Sequence, residues 1–420
     1  MLDAVVIGAG QAGLGASYYL TQRGLSHIVL ERGRIGETWR RQRWDAFTLN
    51  TPNWLNALPG APYDGPAPDG FADAPTLADA FAAYAERFAL PVGTGVEVTS
   101  VRADAGADGF LVDTRSYAGA RATVAARNVV VAAGVQHRPR IPAFAAKLPA
   151  TVTQLHAASY RNAAALPAGA VVVVGSAQSG CQIAEDLSAA GRRVYLATGR
   201  SGRIPRRYRG RDIDEWLWDM GDFEVTPAGL DDPSAMRVAQ PQVSGVGRLG
   251  HTLSLQSLAA DGVTLLGRLA DIDGHLLLLD DSLADNIRFA DEKSAAVKRD
   301  IDAYIDSGRI DAPPAEVEAA DRPWADPAEV ASPPRLDVRA AGVSTLIWCT
   351  GFRADLPWLH LPVLDADGGP RHRDGVSPVP GLFFLGVPWL RKRKSGLVCG
   401  VAEDAAVIVN HIDARLRCAA

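Results

Sequence analysis

Apolar and polar positions along the chain form short strand-like runs separated by helical periods, and two of these stretches repeat each other. Asp3-Ala4-Val5-Val6-Ile7 is an apolar run of the kind buried on both faces of a sheet. A glycine turn, a helix closed by Gly24 and a second apolar run ending at Glu31 follow. Residues 171–198 align with residues 4–31 without a gap, at an offset of 167 (175 minus 8). Gly8 falls on Gly175, Gln11 on Gln178, Gly13 on Gly180, Leu20 on Leu187 and Gly24 on Gly191. Ile183, Ala184 and Leu187 give the second unit its helical period. Two βαβ openings in one chain predict an α/β fold with two Rossmann-like dinucleotide-binding domains.

Between the units the pattern predicts a helix over Leu77–Phe88 and strands near Val96–Val101, Phe110–Val112 and Val129–Ala132. After the second unit it predicts strands at Val263–Leu266 and Leu276–Leu279, then a helix from Leu283 to Ile305. Ile287, Val297, Ile301 and Ile305 share one side of that helix. Residues 311–335, rich in Pro, Ala and Asp and without a period, read as a linker returning to the first domain. Core patterning resumes at Thr345–Trp348 and Leu382–Leu385, and a last helix is expected from Ser395 to Leu416. The expected division is a first domain of 1–150 and 340–420, with a second domain of 151–339 inserted into it.

Composition narrows the class. The 420 residues are 47% hydrophobic and 22% charged, which excludes a disordered chain. The net charge is −5 (43 − 48), poor for non-specific nucleic-acid binding. Cys181, Cys349, Cys399 and Cys418 lie far apart, with neither a CxxC nor a Cys/His cluster, so no zinc site, disulfide framework or disulfide-exchange chemistry is indicated. Free thiols suit a reducing cytoplasm. No apolar run is long enough for a membrane helix, and a core strand at residues 3–7 leaves no room for a signal peptide.

The first turn, Gly8-Ala9-Gly10-Gln11-Ala12-Gly13, follows a buried strand and opens a helix. The first glycine allows the turn, the second lets the backbone approach a pyrophosphate, and the third lets helix and strand pack closely. The helix N-terminus attracts phosphate, and Glu31 ends the next strand, where a carboxylate accepts ribose hydroxyls. The second turn reads Gly175-Ser176-Ala177-Gln178-Ser179-Gly180, with Ala177 in place of the middle glycine. Thr198 stands where Glu31 does, and Arg200 follows two residues later. A carboxylate there would repel a 2′-phosphate, whereas a neutral residue plus Arg favours one, which points to NADPH over NADH. Arg203, Arg206, Arg207, Arg209 and Arg211 follow and read mostly as a solvated loop. Two seats with different phosphate chemistry suggest FAD in the first domain and NADPH in the second.

With these motifs the chain resembles the flavin-containing monooxygenase family in its bacterial form, and is similar to the plant YUCCA-type enzymes. The resemblance rests on both glycine turns, Gly36-Glu37-Thr38-Trp39-Arg40, Leu49-Asn50-Thr51-Pro52, Val131-Ala132-Ala133-Gly134, His156-Ala157-Ala158-Ser159-Tyr160, Cys349-Thr350-Gly351-Phe352 and Gly381-Leu382-Phe383-Phe384-Leu385-Gly386. It departs at Ala150 and Val152, where the family carries an aromatic residue and a glycine before the histidine. Tyr160-Arg161-Asn162 also differs from what Baeyer–Villiger enzymes place there. The histidine of such enzymes usually positions the linker between domains, the role expected of His156.

The resemblance implies that NADPH reduces FAD and that O₂ then forms a C4a-hydroperoxyflavin sheltered by NADP⁺. It further implies cofactor contacts from Arg32, Thr38, Trp39, Gly134, Thr350, Gly351 and Gly386, beside those of the two turns. A polar group is needed near the flavin, and Asn50 matches the family's asparagine by position; the alternative is an Asx-turn residue before Pro52. Arg391-Lys392-Arg393-Lys394 precedes Ser395, read as the N-cap of the last helix and aimed with Lys394 at the reduced flavin; the alternative is a solvated run. Trp39, Trp44, Trp54, Trp389 and Tyr63 either line a substrate cavity or simply pack. The expected activity is oxygenation of an amine nitrogen or a sulfur in a small-molecule substrate. NADPH oxidation without oxygenation, ketone oxygenation and a non-catalytic nucleotide sensor are the alternatives, and a homo-oligomer stays open.

Overall fold

The computed structural model describes residues 1–326 and 330–418. The chain is α/β, built on two separate sheets. The first runs Val92–Thr94, His27–Glu31, Leu2–Ile7, Arg121–Val131, Phe110–Ser116, Val96–Ala103, and Leu382–Phe384 joins it on Arg121–Val131. The long strand serves three partners, one of them Leu2–Ile7, parallel along Ala126–Val131. Its first half pairs antiparallel with Phe110–Arg115, and Val129–Val131 pairs parallel with Leu382–Phe384.

The second sheet has five parallel strands in the order Thr264–Leu266, Val194–Ala197, Ala170–Val174, Val343–Trp348, Thr153–His156. Along Ala170–Val174, Val171 and Val173 join one buried cluster while Val172 and Val174 join another. Both faces are therefore covered, which is why the strand carries no polar residue. The helix Gln178–Ala189 covers one face with Ile183, Ala184 and Leu187.

Three expectations shift. Val343–Trp348 lies in the second sheet, although residues from 340 on were assigned to the first domain. An apolar run announces a strand but not which sheet it completes. Residues 311–326 are mostly exposed, as a surface excursion would be, but they are pinned to the inserted domain: Asp321 is buried against Arg203, Lys298 and Ser294, and Glu318 accepts from Thr252. The last helix is Val401–Cys418 and does not begin at Ser395. Ser395 Oγ accepts from the upstream N–H groups of Arg391 and Lys392, and Gly396 turns away with φ +89°, so this segment folds on itself.

The remaining helices follow local rules. Ala74–Arg87 is capped by Asp73, whose carboxylate accepts from the Thr76 N–H at 2.8 Å, and Pro75 occupies its first turn. The long helix spans Leu283–Tyr304.

Candidate nucleotide and substrate site

The two glycine turns are nearly superposable in their constraints. Gly8 has φ +106° and Gly175 φ +103°, and a Cβ on either would approach a backbone oxygen at 2.6 Å, that of Ala132 or of Cys349. A Cβ on Gly13 would collide with the Gly8 carbonyl, and one on Gly180 with the Gly175 carbonyl. A Cβ on Gly10 would meet nothing, which explains why Ala177 is tolerated at the matching place. Neither Gln11–Gln22 nor Gln178–Ala189 has a side-chain cap, so both helix N-termini offer unsatisfied N–H groups. These open, uncapped cradles fit two dinucleotide phosphates.

The first seat collects residues from several strand ends. Gly134 follows Arg121–Val131, and a Cβ on Gly386, after Leu382–Phe384, would lie 2.6 Å from Ala12 Cβ. Glu31 Oε2 accepts from the Ala9 N–H at 2.9 Å and Oε1 from the Gly33 N–H at 2.7 Å, placing the carboxylate beside the turn. Gly36, with φ +70°, donates to the Ala9 carbonyl and starts the short helix Glu37–Arg41. From it Trp39 Nε1 reaches Gln11 Oε1 at 3.3 Å, and Gln11 Nε2 reaches the Gly396 carbonyl at 3.4 Å. Arg32 and Thr38 are exposed. Arg43 stacks 4.7 Å over Trp39 and 5.2 Å over Phe47, and its burial pulls the guanidinium down to about 10.

The second seat ends differently. Thr198 is buried; its hydroxyl donates to the Leu266 carbonyl at 2.7 Å and accepts from Asn286 at 3.0 Å, so it faces the fold rather than a ligand. Arg200 is exposed, 4.4 Å over the Phe289 ring, and Lys293 lies 5.7 Å from the same ring. A cationic patch thus occupies the place that a carboxylate holds in the first seat. Ser176 is buried, bonded to Gly199, while Gln178 and Ser179 stay unbonded among the described residues in the helix's first turn.

Of the following arginines, two are not solvated. Arg203 pairs with Asp291 and Asp321, and Arg206 with Asp212 and Asp214, both fully enclosed. Burial raises the Asp214 carboxyl to about 6 against the pull of Arg206. Arg206 Nη1 also donates to the Asn50 carbonyl at 2.8 Å. Asn50 makes no Asx turn: its Oδ1 accepts from Gln182 Nε2 at 2.9 Å, and the local turn bonds are made by Asn56.

Thr350 and Gly351 sit where the chain crosses back between domains. Thr350 Oγ1 donates to the Arg140 carbonyl, and the Gly351 carbonyl accepts from the Arg140 N–H and from His156 Nε2 at 3.0 Å. His156 Nδ1 accepts from the Ala158 N–H, which fixes its tautomer. His137 repeats the arrangement, donating to the Ala133 carbonyl and accepting from the Asp355 N–H. Burial lowers the pKa of both imidazoles.

Lys394 is neither free nor solvated. It is 3% exposed, held between Glu224 and Glu403, and lies 5.2 Å over Trp218. Lys392 shares the same carboxylates, Arg393 pairs with Asp222 and Arg391 with Asp404. The run therefore ties the last helix to the inserted domain. Among the aromatics, Trp44 is core, whereas Trp54 meets Trp218 edge-on at 5.6 Å, with Trp218 39% exposed. Gln182, Phe289 and Trp218 escaped the sequence reading, and Arg206 stood there only within a run read as mostly solvated. Gln182 alone left a signal, a polar residue inside a buried helical run.

No helix among the described residues is long and apolar enough to cross a membrane. Each of the two βαβ units of the fold opens on an uncapped glycine turn. The model of the pyridine nucleotide-disulphide oxidoreductase family matches residues 5–217. An uncharacterized CzcO-like oxidoreductase of Geobacillus kaustophilus is 32% identical over 415 residues, 98% of each chain. The indole-3-pyruvate monooxygenase YUCCA1 of rice is 30% identical over 209 residues, 49% of this chain and 50% of that one. A flavin-containing monooxygenase from Stenotrophomonas maltophilia superposes with a TM-score of 0.64 over 99% of both chains at 20% identity. The chain belongs to the pyridine nucleotide-disulphide oxidoreductase family, and the resemblance to flavin monooxygenases expected from its motifs is borne out.

Proposed function

We propose that the protein is an NADPH- and FAD-dependent monooxygenase that transfers one oxygen atom of O₂ to a small nucleophilic substrate, an amine nitrogen or a sulfur. The observation that carries this reading is the difference between the two seats. Glu31 beside the first turn suits the ribose of FAD, and the Arg200–Lys293 patch beside the second suits a 2′-phosphate. FAD, once reduced, would supply the oxygen chemistry; the protein supplies orientation, hydrogen bonding and dryness.

The chain's own residues divide that work. Gly8, Gly10, Gln11, Ala12 and Gly13 would hold the first pyrophosphate, and Gly175, Gln178, Ser179 and Gly180 the second. Asn50 offers a donor between them. Its loop follows Phe47, whose ring lies 6.2 Å from Trp39 and so connects to the first turn. Gln182, its partner, stands one helical turn beyond Gln178 of the second. The exposed face of Trp218 beside Trp54 suits an apolar portion of the substrate.

The test is a screen of amines, thioethers and ketones for stimulated NADPH consumption, with ¹⁸O₂ traced into product by mass spectrometry. Label in an amine or thioether product is expected. NADPH oxidised wholly to H₂O₂ for every substrate class would instead make the protein an oxidase.

A further inference from the structure

Asn50 belongs to the first domain but is gripped by the second. Its backbone carbonyl accepts from buried Arg206, and its side-chain carbonyl accepts from Gln182. Gln182 is 5% exposed, on the helix that begins at the second glycine turn. Its Nε2 donates twice, to Asn50 Oδ1 at 2.9 Å and to the Val243 carbonyl at 2.8 Å. A backbone carbonyl can only accept, so Val243 determines which end of the Gln182 amide is the nitrogen. Both hydrogens of that NH₂ are then used, and the group facing it on Asn50 must be the oxygen. Asn50 Nδ2 is left with no protein acceptor among the described residues.

We propose that Gln182 is a positioning residue that turns the Asn50 carboxamide so that its N–H, and not its carbonyl, is offered to the space between the two nucleotide seats. The inference rests on the proposed role of Asn50 and deepens it. An asparagine free to rotate would present donor and acceptor equally. The Val243–Gln182–Asn50 relay makes it a donor alone, matched to an electron-rich oxygen. Because the relay crosses from one domain to the other, the donor is set only while the domains are docked.

The experiment is a double-variant cycle on the purified yellow protein with Gln182→Glu, Gln182→Met and Asn50→Ala. A glutamate at 182 is nearly the same size but presents acceptors, so Asn50 is expected to turn over and offer its carbonyl. Gln182→Glu should lower the ratio of oxygenated product to H₂O₂ about tenfold, the scale of one hydrogen bond in a dry site, and lower NADPH oxidation far less. Gln182→Met, which only releases Asn50, should give a smaller loss and covers the case in which the glutamate variant fails to fold. In the Asn50→Ala background each change at 182 should alter the ratio less than twofold.

Hydrogen exchange of residues 46–56, measured without substrate, should rise in Gln182→Met and should not rise further when Asn50→Ala is added. A tenfold loss that persists in the Asn50→Ala background would overturn the proposal. So would an unchanged ratio with raised exchange, which makes Gln182 a packing residue. If the unsubstituted protein yields no oxygenated product, the functional reading fails by itself. The exchange cycle then still decides whether Gln182 acts through Asn50.

Discussion

The two βαβ units share one backbone solution and part company most sharply at the end of the second strand. In both, a left-handed glycine clears a backbone oxygen and a third glycine admits a carbonyl against the helix. At the end of the following strand, Glu31 turns its carboxylate back to the turn, whereas Thr198 turns inward and leaves the rim to Arg200 and Lys293. The glycines are demanded by the packing of strand on helix and would be needed for either dinucleotide. On the proposed reading, cofactor identity resides in the strand end, where Glu31 faces the turn and Thr198 does not.

Substituting the third glycine breaks the comparison most severely. Gly13→Val should abolish flavin retention, because no rotamer relieves a Cβ pressed on the Gly8 carbonyl. Gly180→Val, its counterpart, should keep the yellow colour and lose NADPH oxidation. Absorbance of the purified variants near the flavin maximum separates them, and a fully yellow Gly13→Val protein would show that the first seat has been misassigned.

Removing the donor between the seats comes next. Asn50→Ala should divert most oxygen to H₂O₂, lowering the ratio of product to NADPH consumed about a hundredfold, the scale of one lost preorganised donor. Asn50→Asp should be worse, since a carboxylate repels developing negative charge. An unchanged ratio would reduce Asn50 to a structural link between domains.

Arg200→Ala sharpens the difference at the second rim. An Arg–phosphate bond contributes about 1.5–3 kcal/mol, so KM for NADPH should rise about ten- to a hundredfold while NADH is little affected. Lys293→Ala should act in the same direction but more weakly, its ammonium lying farther from the ring that seats both cations. Equal responses to the two cofactors would place the phosphate elsewhere.

The smallest effect lies in the crossovers that join the units. His137 and His156 must be neutral to accept at Nδ1, and burial lowers both pKa values. The unfolded chain therefore binds protons more readily than the folded one. The stability these residues add is full above the ordinary imidazole value of about 6.5 and is lost as pH falls through the lowered native values. Thermal stability should fall on that acidic side, and His156→Gln should flatten the dependence.

The sequence carried the repeat because packing repeats it: glycines at fixed spacing and apolar runs are local demands. Helix Leu283–Tyr304 and strand Leu276–Leu279 were legible for the same reason. Val343–Trp348 was visible as a strand but not as part of the second sheet, since sheet membership depends on partners 173 or 174 residues upstream (343 − 170, 348 − 174). The Arg391–Lys394 run was illegible because its partners, Asp222, Glu224, Glu403 and Asp404, come from two other segments. Ser395 looked like a cap by type, but Gly396 decided otherwise. For Asn50, no local feature could reveal that Gln182 and Arg206 would hold it from across the domain boundary.

The central claim is that equal glycine turns serve different dinucleotides because their strand ends differ. Anaerobic titration of the purified protein with NADPH and with NADH, followed by bleaching of the flavin band, tests it most directly. The account predicts a yellow protein bleached by NADPH at a concentration at least about tenfold lower than by NADH, the scale of one charge-assisted phosphate contact. Equal bleaching by the two, or a colourless protein, would contradict it.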